Sequence, residues 1–223
     1  MTKYFVCSDI HSYYDELIAA LDAAGFDRNN SNHYFISCGD EFDRGPKAKE
    51  VYDFLMSLER KVLIRGNHTT LFEEMCDRRY PMIHDISNGT LDTYKQFGFH
   101  DFAAGREHMN KLTSQMVNYF ETDNYIFVHS WVPFWCADWH SATQEDWDAA
   151  LWSKPFNIIK EKLFPQKTIV FGHWHCSAAW AMEEGLPEFG PRAKFEPYFG
   201  EKYIAIDACT AYSGKVNVVV IED

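Results

Sequence analysis

The chain has 223 residues, 46% of them hydrophobic and 24% charged, which suits one globular domain with a sizeable core. Its net charge of −12 lacks the basic footprint of a general nucleic-acid binder, so an anionic ligand needs positive charge gathered locally, as bound divalent metals supply. No window approaches a transmembrane length, and none of the six cysteines has C-x-x-C spacing, which excludes a membrane span and a thiolate zinc or redox site of that kind.

Met1-Thr2-Lys3 passes straight into an apolar run that ends at Asp9-Ile10-His11, with no signal-peptide pattern; with the cysteine usage this gives a cytoplasmic reading. Ser12–Ala24 reads as a helix, with Leu17, Ile18 and Leu21 at helical spacing and Gly25 closing it. Tyr34–Cys38 is a second strand, leading into Gly39-Asp40-Glu41-Phe42-Asp43-Arg44-Gly45. Pro46 suits the first turn of a helix whose apolar face is Val51, Phe54, Leu55 and Leu58. Lys61–Arg65 is a third strand and runs into Gly66-Asn67-His68. Alternating strands and helices at this spacing predict crossover units and a largely parallel sheet.

The regular pattern then breaks. Helical pieces are predicted around Thr69–Cys76, Thr90–Phe97 and Glu107–Phe120, and residues 74–124 read as an insertion able to form a cap on a single domain of residues 1–223. Tyr125–His129 is a strand, followed by a segment rich in tryptophan from Trp131 to Trp152. Lys167–Phe171 is another strand, ending at Gly172-His173-Trp174-His175. Residues 176–202 read as a long loop, and Tyr203–Asp207 and Lys215–Ile221 as closing strands joined by a turn at Ser213-Gly214.

The strand ends carry the chemistry. Asp9 and His11 follow the first strand, Asp40 and Asp43 the second, and Asn67 and His68 the third; His129 ends the fourth and His173 and His175 follow the fifth. Ligands of open α/β sheets bind beyond the carboxyl ends of the strands. One histidine there is commonly a structural group; five strand ends in a row argue for a site. Asp and Asn oxygens mixed with imidazoles suit Mn, Fe or Zn. The set exceeds what one tetrahedral ion needs, so it points to two divalent ions, with Asp40 as the natural bridge.

The order D-x-H, G-D-x-x-D-R-G, G-N-H, strand-end His and G-H resembles the calcineurin-like metallophosphoesterase superfamily. The D-R-G form resembles its PPP branch of serine/threonine phosphatases and that branch's bacterial and phage relatives. The motifs stand here as Asp9-Ile10-His11, Gly39–Gly45, Gly66-Asn67-His68, His129-Ser130 and Gly172-His173, and Ile206-Asp207…Ser213-Gly214…Val218 is similar to the family's final hairpin. The resemblance spans most of the chain outside residues 74–124 and 176–202. It implies a β-sandwich flanked by helices, a first metal on Asp9, His11 and Asp40, and a second on Asp40, Asn67, His129 and His173. It also implies a metal-bridging hydroxide that attacks phosphorus, His68 as proton donor oriented by Asp43, and Arg44 and Asn67 as phosphate-binding groups.

Four positions depart from the family pattern. Thr69 stands where an acid is common, Trp131 follows the His129-Ser130 pair, and Lys154 replaces an arginine as a candidate substrate-binding cation. In Gly172-His173-Trp174-His175 the second histidine is either a metal ligand or a cleft-wall residue. His33, His84, His100, His108 and His140 lack strand-end placement, and Cys136 and Cys209 have no nearby base in sequence. Asp207 is a candidate brace beside the site, and the tryptophans read first as packing and second as a stacking surface.

The resemblance thus leads to a PPP-like phosphatase acting on phosphomonoesters, with Mn the favoured metal and a phosphoprotein or nucleotide as substrate. A diadenosine tetraphosphatase-like hydrolase or a phosphodiesterase is the alternative. A metal-dependent binding protein stays open, and a nuclease is disfavoured by the net charge.

Overall fold

A computed structural model describes residues 1–223. It contains two five-stranded sheets. The first has the order β10-β1-β2-β3-β4, from strands β1 (Lys3–Cys7), β2 (His33–Ser37), β3 (Lys61–Ile64), β4 (Met116–Val117) and β10 (Val219–Glu222). The second has the order β5-β6-β7-β9-β8, from β5 (Tyr119–Glu121), β6 (Tyr125–Val128), β7 (Thr168–Phe171), β8 (Tyr198–Phe199) and β9 (Tyr203–Ala205).

Period-two alternation explains how the sheets stack. Val6, Ile36, Ile64, Phe127, Val170 and Ile204 point into one shared core between the sheets. Their neighbours Phe5, Phe35 and Leu63 point the other way, onto helices α1 (Tyr14–Ala24), α2 (Ala48–Ser57), α3 (Asn67–Arg78), α5 (Thr90–Gln96) and α6 (Phe102–Thr113). Ile126, Ile169 and Tyr203 point onto α7 (Gln144–Ala150), α8 (Pro155–Lys160) and α9 (Cys176–Glu184) on the opposite outside. Both faces of each central strand are therefore buried, which is why these strands read as continuous apolar runs. The result is the helix-flanked β-sandwich that the resemblance implied.

The β1–β2, β2–β3 and β6–β7 pairs are parallel, as the crossover pattern predicts. β6, β7 and β9 form a second, also parallel, core sheet, because each strand carries a second apolar face that needs its own cover. The closing hairpin is corrected. β9 pairs with β7 and β8, whereas β10 pairs antiparallel with β1, so the chain crosses between sheets through the short helix α10 (Thr210–Ser213). Residues 176–202 are not all loop: α9 buries Cys176 and Ala179 on the second sheet, and β8 adds an edge strand. The helix expected to reach Phe120 ends at Thr113, and the chain then enters β4 and β5. Pro46 lies two residues before α2 rather than in its first turn.

Within residues 74–124, α4 (Ile83–Ser87) links α3 to α5. Tyr94, Met109 and Leu112 join the same core as Phe5 and Phe35. This packing carries α5 to the loop after β2, where it meets the site.

Candidate metal and phosphate site

The loops after β1 and β2 are zipped together by backbone bonds. Asp9 N–H donates to Gly39 O at 3.0 Å, His11 N–H to Asp40 O at 3.0 Å and Ser12 N–H to Glu41 O at 2.8 Å. Their curvature needs left-handed backbone at residues other than glycine. Asp9, His11, Asp40, Asp43, Arg44 and His173 all have φ between 49° and 75°. Such conformations cost of order 1–3 kcal/mol each and persist where surrounding structure enforces them. Glycines let the loops approach: a Cβ on Gly66 would overlap the Asp40 carboxylate, and one on Gly172 would overlap Ser8 and Asp9.

The imidazoles are oriented by carbonyls. His11 Nδ1 lies 2.8 Å from Phe42 O, and His129 Nδ1 lies 2.8 Å from Cys38 O. A carbonyl can only accept, so each Nδ1 carries its proton and each Nε2 turns inward. His129 Nε2 then faces Asn67 Oδ1 at 2.8 Å and Asp40 Oδ2 at 3.4 Å. His173 Nδ1 reaches the same Asn67 oxygen at 3.0 Å, and its backbone N–H donates to Asp9 Oδ2 at 2.8 Å. Ser8 Oγ donates to that Asp9 oxygen at 2.6 Å, leaving Asp9 Oδ1 3.8 Å from His11 Nε2.

Two compact donor sets result: His11, Asp40 and His68, and Asp40, His129 and His173, with the ligating atoms of each set within 4.8 Å of one another. Asp40 belongs to both. Burial holds the His173 imidazole down to about 3, and burial, Arg44 and His68 hold that of His11 well below its usual value. Neutral imidazoles present lone pairs. Burial alone would raise Asp40, yet His129, His68 and His11 together keep it below the usual carboxylate range. The oxygens of Asn67 and Asp40 both lie within 3.4 Å of His129 Nε2, a mixed oxygen and imidazole set whose donor chemistry fits divalent metals.

Beside this cluster lies a buried pair, His68 and Asp43. His68 is in the first turn of α3, where its backbone N–H donates to Asp40 Oδ1 at 3.0 Å. Its Nδ1 bonds Asp43 Oδ2 at 2.7 Å, and Arg44 Nη2 comes within 3.3 Å of its Nε2. Burial would lower the imidazolium, but Asp40 and Asp43 outweigh it and raise His68 above 6.5. Asp43 is itself clamped from α5: Thr90 Oγ1 donates to Oδ2 at 2.6 Å, and Thr93 Oγ1 donates to Oδ1 at 2.8 Å. The Asp43 N–H returns a bond to Thr93 Oγ1 at 3.0 Å. Nothing local marks these threonines, which lie 47 and 50 residues from Asp43.

The remaining candidates fall elsewhere. His175 stands outside both donor sets, with Nδ1 on Ser177 Oγ at 2.8 Å and Nε2 on Glu188 Oε1 at 3.4 Å. Lys154 Nζ lies 6.0 Å from the centre of the Trp174 ring. Trp131 follows the packing reading rather than the stacking one: it is buried against Phe171 at 5.5 Å in the outer core of the second sheet. Trp152 is the indole at the cleft, half exposed and 6.5 Å from the His173 ring. Thr69 contacts Met116 Sδ at 3.9 Å. Asp207 accepts the Cys209 N–H at 2.6 Å, and burial together with Asp9 pushes its carboxyl well up. Glu41 was not singled out by sequence; it is buried, accepts the Ser37 hydroxyl at 2.6 Å, and burial pushes it up to about 7.

Comparison with known proteins agrees with this geometry. The family model for calcineurin-like phosphoesterases matches residues 2–177. A symmetrical bis(5'-nucleosyl)-tetraphosphatase of Buchnera aphidicola is 39% identical over 69 residues, 30% of this chain and 24% of that protein. Serine/threonine-protein phosphatase PP1-1 of Saccharomyces cerevisiae is 33% identical over 91 residues, 35% of this chain and 29% of that protein. The matched segments thus span under a third of these curated relatives. Among solved structures, a chain provisionally described as a diadenosine tetraphosphatase superposes with a TM-score of 0.63 at 16% identity, covering 99% of this chain and 89% of that one. A cold-active protein-tyrosine phosphatase of a Shewanella species superposes with a TM-score of 0.54 at 18% identity, covering 100% and 76%. These likenesses concern the fold; the family model, which covers most of the chain and every strand-end motif, decides membership. The chain belongs to the calcineurin-like phosphoesterase family.

Proposed function

We propose that the protein is a dinuclear metal-dependent phosphoesterase that hydrolyses phosphomonoesters in the manner of the PPP-type phosphatases. The observation that carries this reading is Asp40, shared by two donor sets in one buried cleft. Asp9, His11 and Asp40 would hold one divalent ion, and Asp40, Asn67, His129 and His173 the other. Mn is the favoured metal, with Fe and Zn compatible with the same donors. Bound cations lower the pKa of water at the site and neutralise phosphoryl oxygens.

The chain's own groups do the rest. The planar Arg44 guanidinium is suited to gripping two phosphate oxygens. Asp40 and Asp43 raise His68 above its ordinary value, which favours the protonated imidazole that the departing ester oxygen needs. Asp43 holds that imidazole by its Nδ1, so Nε2 would deliver the proton once phosphate draws off the Arg44 Nη2 that lies 3.3 Å from it. Burial of the Asp43–His68 pair keeps bulk water from competing for the proton.

The test is metal dependence. Protein stripped with chelator is assayed on para-nitrophenyl phosphate and its bis-ester while Mn²⁺ is titrated back. Restored monoester cleavage is expected. Preference for the bis-ester would replace this reading with a phosphodiesterase, and no cleavage of either with two metals bound would point to a binding protein. A second reading, hydrolysis of dinucleoside polyphosphates, is favoured by the tetraphosphatase relatives; release of nucleotides rather than phosphate distinguishes it.

A further inference from the structure

Helix α5 lies along the turn that carries Asp43, Arg44 and Gly45. Gly89, at a φ of 87°, opens the helix, and a Cβ there would overlap the backbone N of Arg44. Thr90 and Thr93 reach Asp43. Gln96 reaches the far side of the turn: its Oε1 accepts the Ala48 N–H at 2.8 Å, and its Nε2 donates to Gly45 O at 2.9 Å. Tyr94 anchors the helix in the core shared with Phe5 and Phe35, its ring 4.8 Å from that of Phe102. Asp43 and Arg44 have φ values of 75° and 64°. Left-handed residues other than glycine persist where neighbouring structure enforces them, and α5 is that neighbour.

The two threonines are fully buried. A helical threonine commonly bonds a carbonyl of the preceding turn. Both of these donate instead to a carboxylate 47 and 50 residues away. Thr93 holds Oδ1 and Thr90 holds Oδ2, so donors on both oxygens fix the plane of the carboxylate. The Asp43 N–H on Thr93 Oγ1 fixes its backbone as well. Oδ2 is thereby kept facing His68 Nδ1 at 2.7 Å. With a hydroxyl removed, the carboxylate can turn about its Cβ–Cγ bond, and His68 loses a fixed acceptor. The far nitrogen of the ring, Nε2, then loses its aim.

We propose that Thr90 and Thr93 are positioning residues for proton transfer: α5 splints the turn, and the two hydroxyls hold Asp43 so that His68 Nε2 stays aimed at the departing ester oxygen. This rests on the phosphoesterase reading of the donor cluster, with His68 as proton donor.

The test compares kcat on ethyl phosphate, whose leaving oxygen needs a proton, with kcat on para-nitrophenyl phosphate, whose leaving group does not. It uses Mn²⁺-loaded wild type, Thr90→Val, Thr90→Ser and Gln96→Leu. Valine keeps the branched shape without the hydroxyl, serine keeps the hydroxyl, and Gln96→Leu loosens the same helix without touching Asp43. The ratio of the two kcat values is expected to fall about tenfold or more in Thr90→Val, within the roughly 10²-fold that a misplacement of about 1 Å can cost, with KM unchanged. It should recover in Thr90→Ser and hold in Gln96→Leu. A ratio that holds in Thr90→Val, or falls as far in Gln96→Leu, overturns the proposal. Thr90→Cys, a weak donor of similar size, replaces the valine variant if that does not fold, with the same outcomes. A second readout needs no turnover. In isotope-labelled protein the Nδ1–H resonance of His68, identified by its loss in His68→Asn, should move or vanish in Thr90→Val and stay in Gln96→Leu; an unmoved resonance overturns the proposal. Wild type that cleaves neither ester would sink the phosphoesterase reading, and the resonance alone then decides whether the threonines hold His68.

Discussion

The loops after β1, β2 and β3 bury their polar groups and bond them to one another, whereas the segments beyond His129 and His173 carry large rings out to solvent. Asp9, His11, Asp40 and Asp43 are each at most 2% exposed; Trp152 and Phe189 are 50% and 49% exposed. The first region is over-determined. Asp43 alone accepts from His68, Thr90 and Thr93, and its backbone sits at a φ of 75° that only such bonding holds. The second region leaves several large rings half exposed, Trp152 and Phe189 among them. Catalytic geometry in general tolerates little error, and surface loops vary more freely than the scaffold that carries them.

The largest effect should come from the centre of the locked region. Asp40→Asn removes the carboxylate common to both donor sets, and metal-dependent turnover should fall by more than the roughly 10²–10⁴-fold that acid–base catalysis alone supplies. Metal content by atomic absorption should fall with it. Full metal content together with full turnover would show that Asp40 is not shared.

His68→Asn should lose about 10²–10⁴-fold in kcat on an alkyl phosphate while retaining both metals. The deficit should shrink on para-nitrophenyl phosphate, whose leaving group departs without a proton. An equal deficit on both substrates would assign His68 to binding rather than proton donation.

The pH profile sharpens the contrast. The donor form of His68 is protonated, and Asp40 and Asp43 raise it above 6.5. Activity should therefore fall as pH rises through that raised value. Asp43→Asn withdraws one negative charge, so the falling limb should move to lower pH, by about one unit or more. A limb that stays in place would separate Asp43 from the proton donor.

Metal removal should weaken the whole protein. Mn²⁺ at a hundredfold over its Kd stabilises a folded state that alone binds it by about 2.7 kcal/mol, so Tm should drop on chelation and recover on addition. A Tm indifferent to Mn²⁺ would mean that the donors are held without cations.

Thr93→Val tests the clamp itself. It leaves the buried Asp43 carboxylate and N–H each short of a partner, at a cost of about 1–3 kcal/mol in urea unfolding. A similar truncation in the exposed wall, Phe189→Ala, should cost less, since surface substitutions usually stay within about 0.5 kcal/mol. Equal costs would erase the distinction between the two regions.

Much of this was legible in the chain before folding. The apolar runs of β1, β2, β3, β6 and β7, and the Asp, Asn and His residues that follow them, are local features. A continuous apolar strand and a glycine-flanked turn write themselves in consecutive residues. Asp9, His11, Asp40, Asn67, His129 and His173 stand in that pattern; His11, Asp40, His129 and His173 fall in the two donor sets, Asn67 meets His129 and His173, and Asp9 lies outside both sets with Oδ1 3.8 Å from His11 Nε2. What depended on pairing between distant segments was not legible. Strand partners leave no trace in composition, so the placement of β9 and β10 in different sheets emerged only from the register of each with its neighbours. The threonine clamp on Asp43, the orientation of His11 and His129 by carbonyls, and the turning of His175 toward Ser177 and Glu188 depend on side chains that meet only in three dimensions. Sequence fixed which chemical groups line the strand ends, because a strand holds its own residues in order; tertiary structure decided which of them face one another, because that depends on how two sheets and their helices share three cores.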